Sequence, residues 1–589
     1  MNAIAFFTTT SPSCMDLRSL ESEEKYMTYD LKITGGTIID GSGSTRYRGD
    51  VGIADGRIVA LGDAPDDAKE TIDAEGAIVS PGFVDIHTHY DAQVIWDPKL
   101  SISPWHGVTT AVIGNCGFGV APTRPEHRDL IVRTLEKVEG MSVAALNEGL
   151  GAEWPFETFP EYLDAIDTSG VSINIGVLLG HTPLRMYVMG EESTERTATD
   201  DEITKMQALV TEAMEAGAIG FATSRAPTHV AYDGRKIPSR VCDVEEVFAM
   251  ARAMGDAGGG LLEATAGRGL FLEEYAELAK IPGCTVSWTA LLAGLALGKG
   301  DHVSQLEQSE EMMAQGLRVF PQVTPRPLNF EYQFKEPFMF EALSIFQPVS
   351  AADFNGKKTL YQDPEFRTIF REKMETVRET FRSSFAKTVI SQSLSDPSLD
   401  ERLLFDVAKE RDQSPTDFAL DLSLVENLET RFRMPVANHN EDEVEPLLKS
   451  GSTVLGLSDA GAHASQLCDA CQPTYLLSRW VREKKVFTLE EAVRMLTSQP
   501  ADVAGLKDRG LLAEGRPADI TVFDPLTVGA GPLQRVYDFP GGADRLVSHE
   551  TGVKAVIVNG APIRKDGADV LSEGQKLPGG VLRQREVIA

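Results

Sequence analysis

The chain has 589 residues, 42% of them apolar, and carries a formal net charge of -32. That length exceeds what one hydrophobic core serves, so a large domain plus a smaller one is expected. The acidic balance argues against a nucleic-acid binder, which needs a basic footprint, and no apolar run is long enough to predict a transmembrane helix.

The first 26 residues read as a leader or loose tail, and Met27 stands directly before a strand-like run. Their short apolar patch lacks a basic flank, so no secretory signal is expected. Six scattered cysteines (Cys14, Cys116, Cys242, Cys284, Cys468 and Cys471) make no disulfide framework, which predicts a reducing, cytoplasmic setting. From residue 29 to 78, short β segments alternate with turns, and Asp55-Gly56 between two apolar runs marks a hairpin. The next run, Ser80-Pro81-Gly82-Phe83-Val84-Asp85-Ile86-His87-Thr88-His89, ends in two histidines. Residues i and i+2 of a strand share a face. His87 and His89 can therefore aim two imidazoles at one point where the strand ends, and neutral imidazole suits Zn, Fe and Ni; a bare HxH also reads as two satisfied or solvent-facing histidines.

The middle of the chain alternates strand-like runs at 109–114, 171–177, 219–221, 284–288, 318–323 and 453–457 with helical patterns such as 200–216 and 244–257. That alternation means a parallel sheet. Such a sheet is either a barrel or doubly wound, and polar residues at the C-terminal ends of several strands favour an α/β fold of the (β/α)8 TIM-barrel type, whose active sites lie at that face. Cys116, in Gly114-Asn115-Cys116-Gly117, follows one such run; a thiolate is a strong zinc ligand, although most free cysteines are buried and inert. His181 ends another strand. Asp459 follows the last, within Gly456-Leu457-Ser458-Asp459-Ala460-Gly461-Ala462-His463. A carboxylate there can bind a metal and take a proton from its water, or simply cap a helix. Arg225 and His229, beyond the 219–221 strand, could meet a substrate carboxylate, and a plain surface loop accounts for them equally well. Cys468 and Cys471 form a lone CxxC, which reads as a loop near the mouth, and His439 has no assigned role. The segment 324–392, rich in Phe and Tyr, reads as an insertion over the mouth, either a satellite core or a lid. β segments return near the C-terminus, so both chain ends are expected to build one small β-sandwich, from 27–82 and 506–570. They flank a barrel at 83–505, with a tail at 571–589.

The HxH strand, the GNCG segment and the SDAGAH segment form an ordered set with Lys32-Ile33-Thr34-Gly35-Gly36-Thr37-Ile38-Ile39-Asp40-Gly41, Thr497-Ser498-Gln499-Pro500-Ala501 and the stretch 510–520. Over most of the chain this set resembles the amidohydrolase superfamily, specifically its D-aminoacylase (N-acyl-D-amino-acid deacylase) branch. The resemblance implies a metal-dependent barrel carrying a small β-sandwich. It implies His87 and His89 as first-strand ligands, Cys116 as thiolate ligand, and Asp459 as the last-strand aspartate that binds metal and moves the proton. The implied reaction is hydrolysis of the amide bond of an N-acyl amino acid, D-configured substrates among them. A hydantoinase-type cyclic amide hydrolase is the second reading, opposed by GNCG because that branch resembles enzymes with a carboxylated lysine instead of cysteine. A metal-poor binding relative is the third, opposed by retention of HxH and the aspartate.

The chain departs from the family in one respect. Two further histidines, expected on the fifth and sixth barrel strands, are missing from 258–266 and 285–290, and so is a lysine expected just after the sixth strand. Glu263 could replace a ligand or hydrogen-bond substrate; His181, Arg225, His229 and His463 are the other substrate-side candidates. The ligands that remain suit one divalent ion per chain, zinc foremost, rather than two. The expected partner is a small-molecule amide, with no nucleic acid or membrane, in a homo-oligomer as is common for such barrels.

Overall fold

The computed structural model describes residues 28–231, 234–295, 298–341, 343–572 and 574–583; the expected leader, with Cys14, and Met27 lie outside them. Eight parallel strands form the large domain: β1 Phe83–Asp85, β2 Val108–Ile113, β3 Asn174–Gly180, β4 Gly220–Ser224, β5 Gly260–Thr265, β6 Cys284–Thr289, β7 Val319–Val323 and β8 Val454–Leu455. They pair in chain order, and a parallel bridge between Thr88 and Ala460 draws the first and last together, so the barrel is nearly closed. Every position of β2 (VTTAVI) and β3 (NIGVLLG) is buried, as a parallel sheet covered on both faces requires. The helix Asp200–Ala216 starts on a reciprocal cap between Thr199 and Glu202, and it and Val244–Asp256 fall where the sequence pattern places them. β3 begins three residues later than expected, because Val171 bridges instead to Gly579 of the C-terminal segment. That segment runs along the start of β3, and Arg583 ties it to Asp164 and Asp167.

A nine-stranded sheet combines five strands from residues 29–81 with four from 520–569. The halves join where Ile520–Phe523 pairs antiparallel with Ile78–Pro81, and the Asp55-Gly56 hairpin is present. Leu31, Ile33, Val51, Ile53, Val79, Ile520 and Ile557 fill its core. Since Ile78–Pro81 leads directly into β1, this sheet anchors the start of the histidine strand.

The aromatic-rich insertion is a separate unit. The strands Leu328–Tyr332, Arg431–Ala437, Val389–Gln392 and Arg402–Leu403 form an antiparallel sheet. Its core, with Phe334, Phe340, Phe346, Tyr361, Phe370 and Phe432, is its own. The unit extends to residue 437 rather than 392, because Arg431–Ala437 is an inner strand pairing on both sides. Most of its aromatics face each other, but Phe330 sets its ring edge-on to His463, with centroids 5.5 Å apart.

Candidate metal centre

β1 ends at Asp85, and the chain continues extended past it. The His89 N–H donates to Ala460 O at 2.7 Å and the Thr88 N–H to Val112 O at 3.1 Å. With the backbone pinned on both sides, the His87 and His89 rings turn the same way, centroids 5.1 Å apart. Cys116 reaches them through a tight turn after β2. Gly114 (φ +87°) packs so closely on β3 that a Cβ would sit 2.1 Å from Leu178 O. Cys116 itself takes φ 55°. Its Sγ lies 3.6 Å from His87 Nε2. Asp459, in the loop after β8, places Oδ1 3.3 Å from His87 Nε2 and 3.7 Å from His89 Nε2. Leu457, Asp459 and His463 all hold positive φ (59°, 45° and 46°). That conformation is uncommon for residues other than glycine and gathers at functional sites.

Each ligand-type imidazole turns its Nε2 inward and has an outer partner at Nδ1. For His87 this is Gln322 of β7, at 2.8 Å, itself held by a 3.1 Å bond to Ser287 Oγ. For His89 it is Glu139, whose Oε1 lies 3.2 Å from Nδ1, close but off the ideal hydrogen-bond line. On the far side of Cys116, Glu263 Oε2 accepts the Cys116 N–H at 2.7 Å, while its Oε1 is buried without a hydrogen-bond partner, 3.9 Å from His87 Nδ1.

The electrostatics follow from burial and from these contacts. Burial pushes the Cys116 thiol up to about 12, with Glu263 adding to the shift, and pushes the Glu263 carboxyl up to about 8. Burial pulls His87 down to about 4 against the pull of Asp459. For His89, burial also opposes the charged form, but Glu139, Asp459 and Cys116 outweigh it and raise its pKa. Burial works against the Asp459 carboxylate as well, yet His89, His87 and His463 hold it below the ordinary carboxylate range. Buried so, the Cys116 thiol would ionise only beside a cation, and a thiophilic dication is what two imidazoles, a sulfur and a carboxylate suit. The His87, His89 and Cys116 ligand atoms lie within 4.8 Å of one another. With the unpartnered Glu263 oxygen beside them, the residues fit a divalent metal.

The remaining candidates divide. His463 and His229 side with the centre: both act electrostatically on Glu139. The His229 ring is held by a 2.7 Å bond to Ser224 Oγ and lies 5.1 Å from the Phe118 ring. His181 stands apart, its Nδ1 2.8 Å from Thr223 Oγ1 and its Nε2 2.8 Å from Glu246 Oε1. With Cys242 it forms a second possible ligand group, but Arg185 pairs with both Glu246 oxygens and Arg225 donates to Cys242 Sγ at 3.2 Å. Two guanidinium groups already supply the positive charge a metal would bring. Arg225 is also spent on backbone, donating to Arg268 O at 3.1 Å and to Cys242 O, so it staples loops together and is not turned to a substrate carboxylate. His439 contacts Ser383 of the insertion at 3.4 Å. Cys468 and Cys471 are buried beside Arg326, which also pairs with Asp469 at 3.1 Å. Sequence reasoning missed Gln322 and Glu139. Neither has a local signature, and the one available hint was an acidic residue ending a helix immediately before Gly140.

A sequence profile of the amidohydrolase family matches residues 70–381 and 407–564. The chain belongs to that family. It is similar to D-aminoacylase of Alcaligenes xylosoxydans xylosoxydans, 29% identical over 93% of this chain and 97% of that one. Among solved structures it is similar to N-acyl-D-glutamate deacylase from Bordetella bronchiseptica, complexed with zinc and a phosphonate mimic of the tetrahedral intermediate. That match is 28% identical over 95% of this chain and 100% of the other, with a TM-score of 0.63. A D-aminoacylase structure described by its binuclear metal centre, with one-metal activation and second-metal attenuation, matches at 26% identity over 94% and 100% of the two chains, TM-score 0.63. Among the described residues, no helix is long and apolar enough to cross a membrane.

Proposed function

We propose that the protein is a metal-dependent deacylase that hydrolyses the amide bond of N-acyl amino acids, D-configured ones foremost, the activity its relatives' names carry. The observation that carries this reading is the convergence of His87, His89, Cys116 and Asp459 at the C-terminal face of the barrel. A zinc-like ion held by His87, His89 and Cys116 would polarise the substrate carbonyl and acidify water. Asp459, whose Oδ1 lies beside the inward nitrogens of both histidines, accepts the proton of the attacking water and returns it to the leaving nitrogen. His229 and His463 flank this point and are placed to meet the substrate.

The reading includes one ion per chain. Where the family supplies imidazoles, β5 and β6 offer Glu263, Thr265, Ser287 and Thr289, and one carboxylate oxygen with hydroxyls does not replace two imidazoles around zinc. A reducing, cytoplasmic setting accords with the five described cysteines, all free. A panel of N-acyl-D- and N-acyl-L-amino acids, with hydantoin and dihydrouracil as cyclic amides, tests the reading. Release of free amino acid from the linear substrates supports it; turnover of the cyclic amides alone, or of none by zinc-loaded protein, overturns it.

A further inference from the structure

Glu139 is a buried carboxylate at the last position of the helix Arg128–Glu139. Two penalties act on it there. Burial disfavours its charge, and the C-terminal end of a helix carries the negative pole of the backbone dipole. Such a group persists only where positive charge or donated hydrogen bonds compensate. Its Oε1 faces His89 Nδ1 at 3.2 Å, and His89 turns its other nitrogen toward Asp459. The two histidines of the HxH pair thus differ in their nearest partner at Nδ1: for His87 it is the neutral amide of Gln322 at 2.8 Å, with Glu263 Oε1 farther off at 3.9 Å, and for His89 it is a carboxylate at 3.2 Å.

We propose that Glu139 is a positioning residue of the metal centre. Its carboxylate accepts the Nδ1 proton of His89, fixes that ring with Nε2 turned inward, and adds the negative charge that tightens the hold on a divalent cation. Outer carboxylates of this kind set the tautomer of a ligating histidine and raise its basicity. The inference rests on the metal-centre reading above.

The test compares zinc affinity, by competition with a chromophoric chelator, in wild type, Glu139→Gln, Glu139→Asp and His89→Ala, alongside the melting temperature of each metal-free protein. The Gln variant keeps the shape and loses the charge; it is expected to bind zinc about 10–100-fold more weakly while its metal-free form still melts cooperatively as a folded protein. The Asp variant, which keeps the charge, should recover part of that loss. If His89→Ala loses zinc while Glu139→Gln binds it as wild type does, the role of Glu139 is refuted and the metal centre stands. If wild type and His89→Ala bind alike, the centre itself is misplaced. Imidazole nitrogen NMR of zinc-loaded wild type decides independently of any variant's folding: His89 protonated at Nδ1 and bound through Nε2 supports the proposal, and the reverse overturns it.

Discussion

Replacing Asp459 by Asn keeps the shape of the side chain and removes its capacity to take a proton. The carboxylate sits 3.3 Å and 3.7 Å from the inward nitrogens of His87 and His89, and those histidines with His463 hold it ionised despite its burial. A carboxylate so placed adjoins the point where the attacking water would stand, and general acid–base catalysis contributes about 10²–10⁴-fold, or about 3–5 kcal/mol of barrier. We expect Asp459→Asn to be folded and to lose at least about 10²-fold in kcat. Because Asp459 also adjoins the metal position, initial rates are to be measured across a zinc titration, with bound zinc quantified in each sample. A variant whose kcat returns to the wild-type value at saturating zinc would show that Asp459 only holds metal, and the acid–base assignment would fail.

Two further changes probe the site and the scaffold. His87→Ala combined with His89→Ala should abolish tight zinc binding while leaving the circular dichroism spectrum of a folded α/β protein, since these rings face the barrel mouth; stoichiometric zinc in the purified double variant would place the site elsewhere. His106, which takes no part in the centre, is buried with Nδ1 2.8 Å from Thr474 Oγ1 and Nε2 2.9 Å from Ser548 O, and burial holds its pKa down to about 3. An unfolded histidine titrates near ~6.5, so between those values the unfolded chain binds the extra proton. Its contribution is full above the unfolded pKa and is lost as pH falls toward the folded one, with a limiting slope of about 1.4 kcal/mol per pH unit. His106→Gln should make the acid limb of the stability curve shallower by one proton, and an unchanged limb would contradict the assignment.

Much of this was legible in the chain because it is encoded locally. The HxH pair follows from strand periodicity, Cys116 from its place in GNCG just beyond a strand-like run, and the barrel from strand-like runs alternating with helical patterns. What escaped was the product of long-range contact. Gln322 and His87 are 235 residues apart in sequence, and Glu139 reaches His89 from a helix with no motif of its own. Arg225 illustrates the opposite failure. Its place after a barrel strand suited a substrate clamp, but the carbonyls of Cys242 and Arg268 lie within its reach and satisfy it first. His181 was likewise at a strand end, yet Thr223 and Glu246 occupy both its nitrogens.

The most direct test of the account is a zinc titration of chelator-stripped protein, read as hydrolysis of an N-acyl-D-amino acid. A single centre built by His87, His89 and Cys116, with Asp459 as its base, predicts activity that is absent without metal, rises linearly and levels at one equivalent per chain. Activity that persists in the stripped protein, or that climbs until two equivalents are bound, would contradict it.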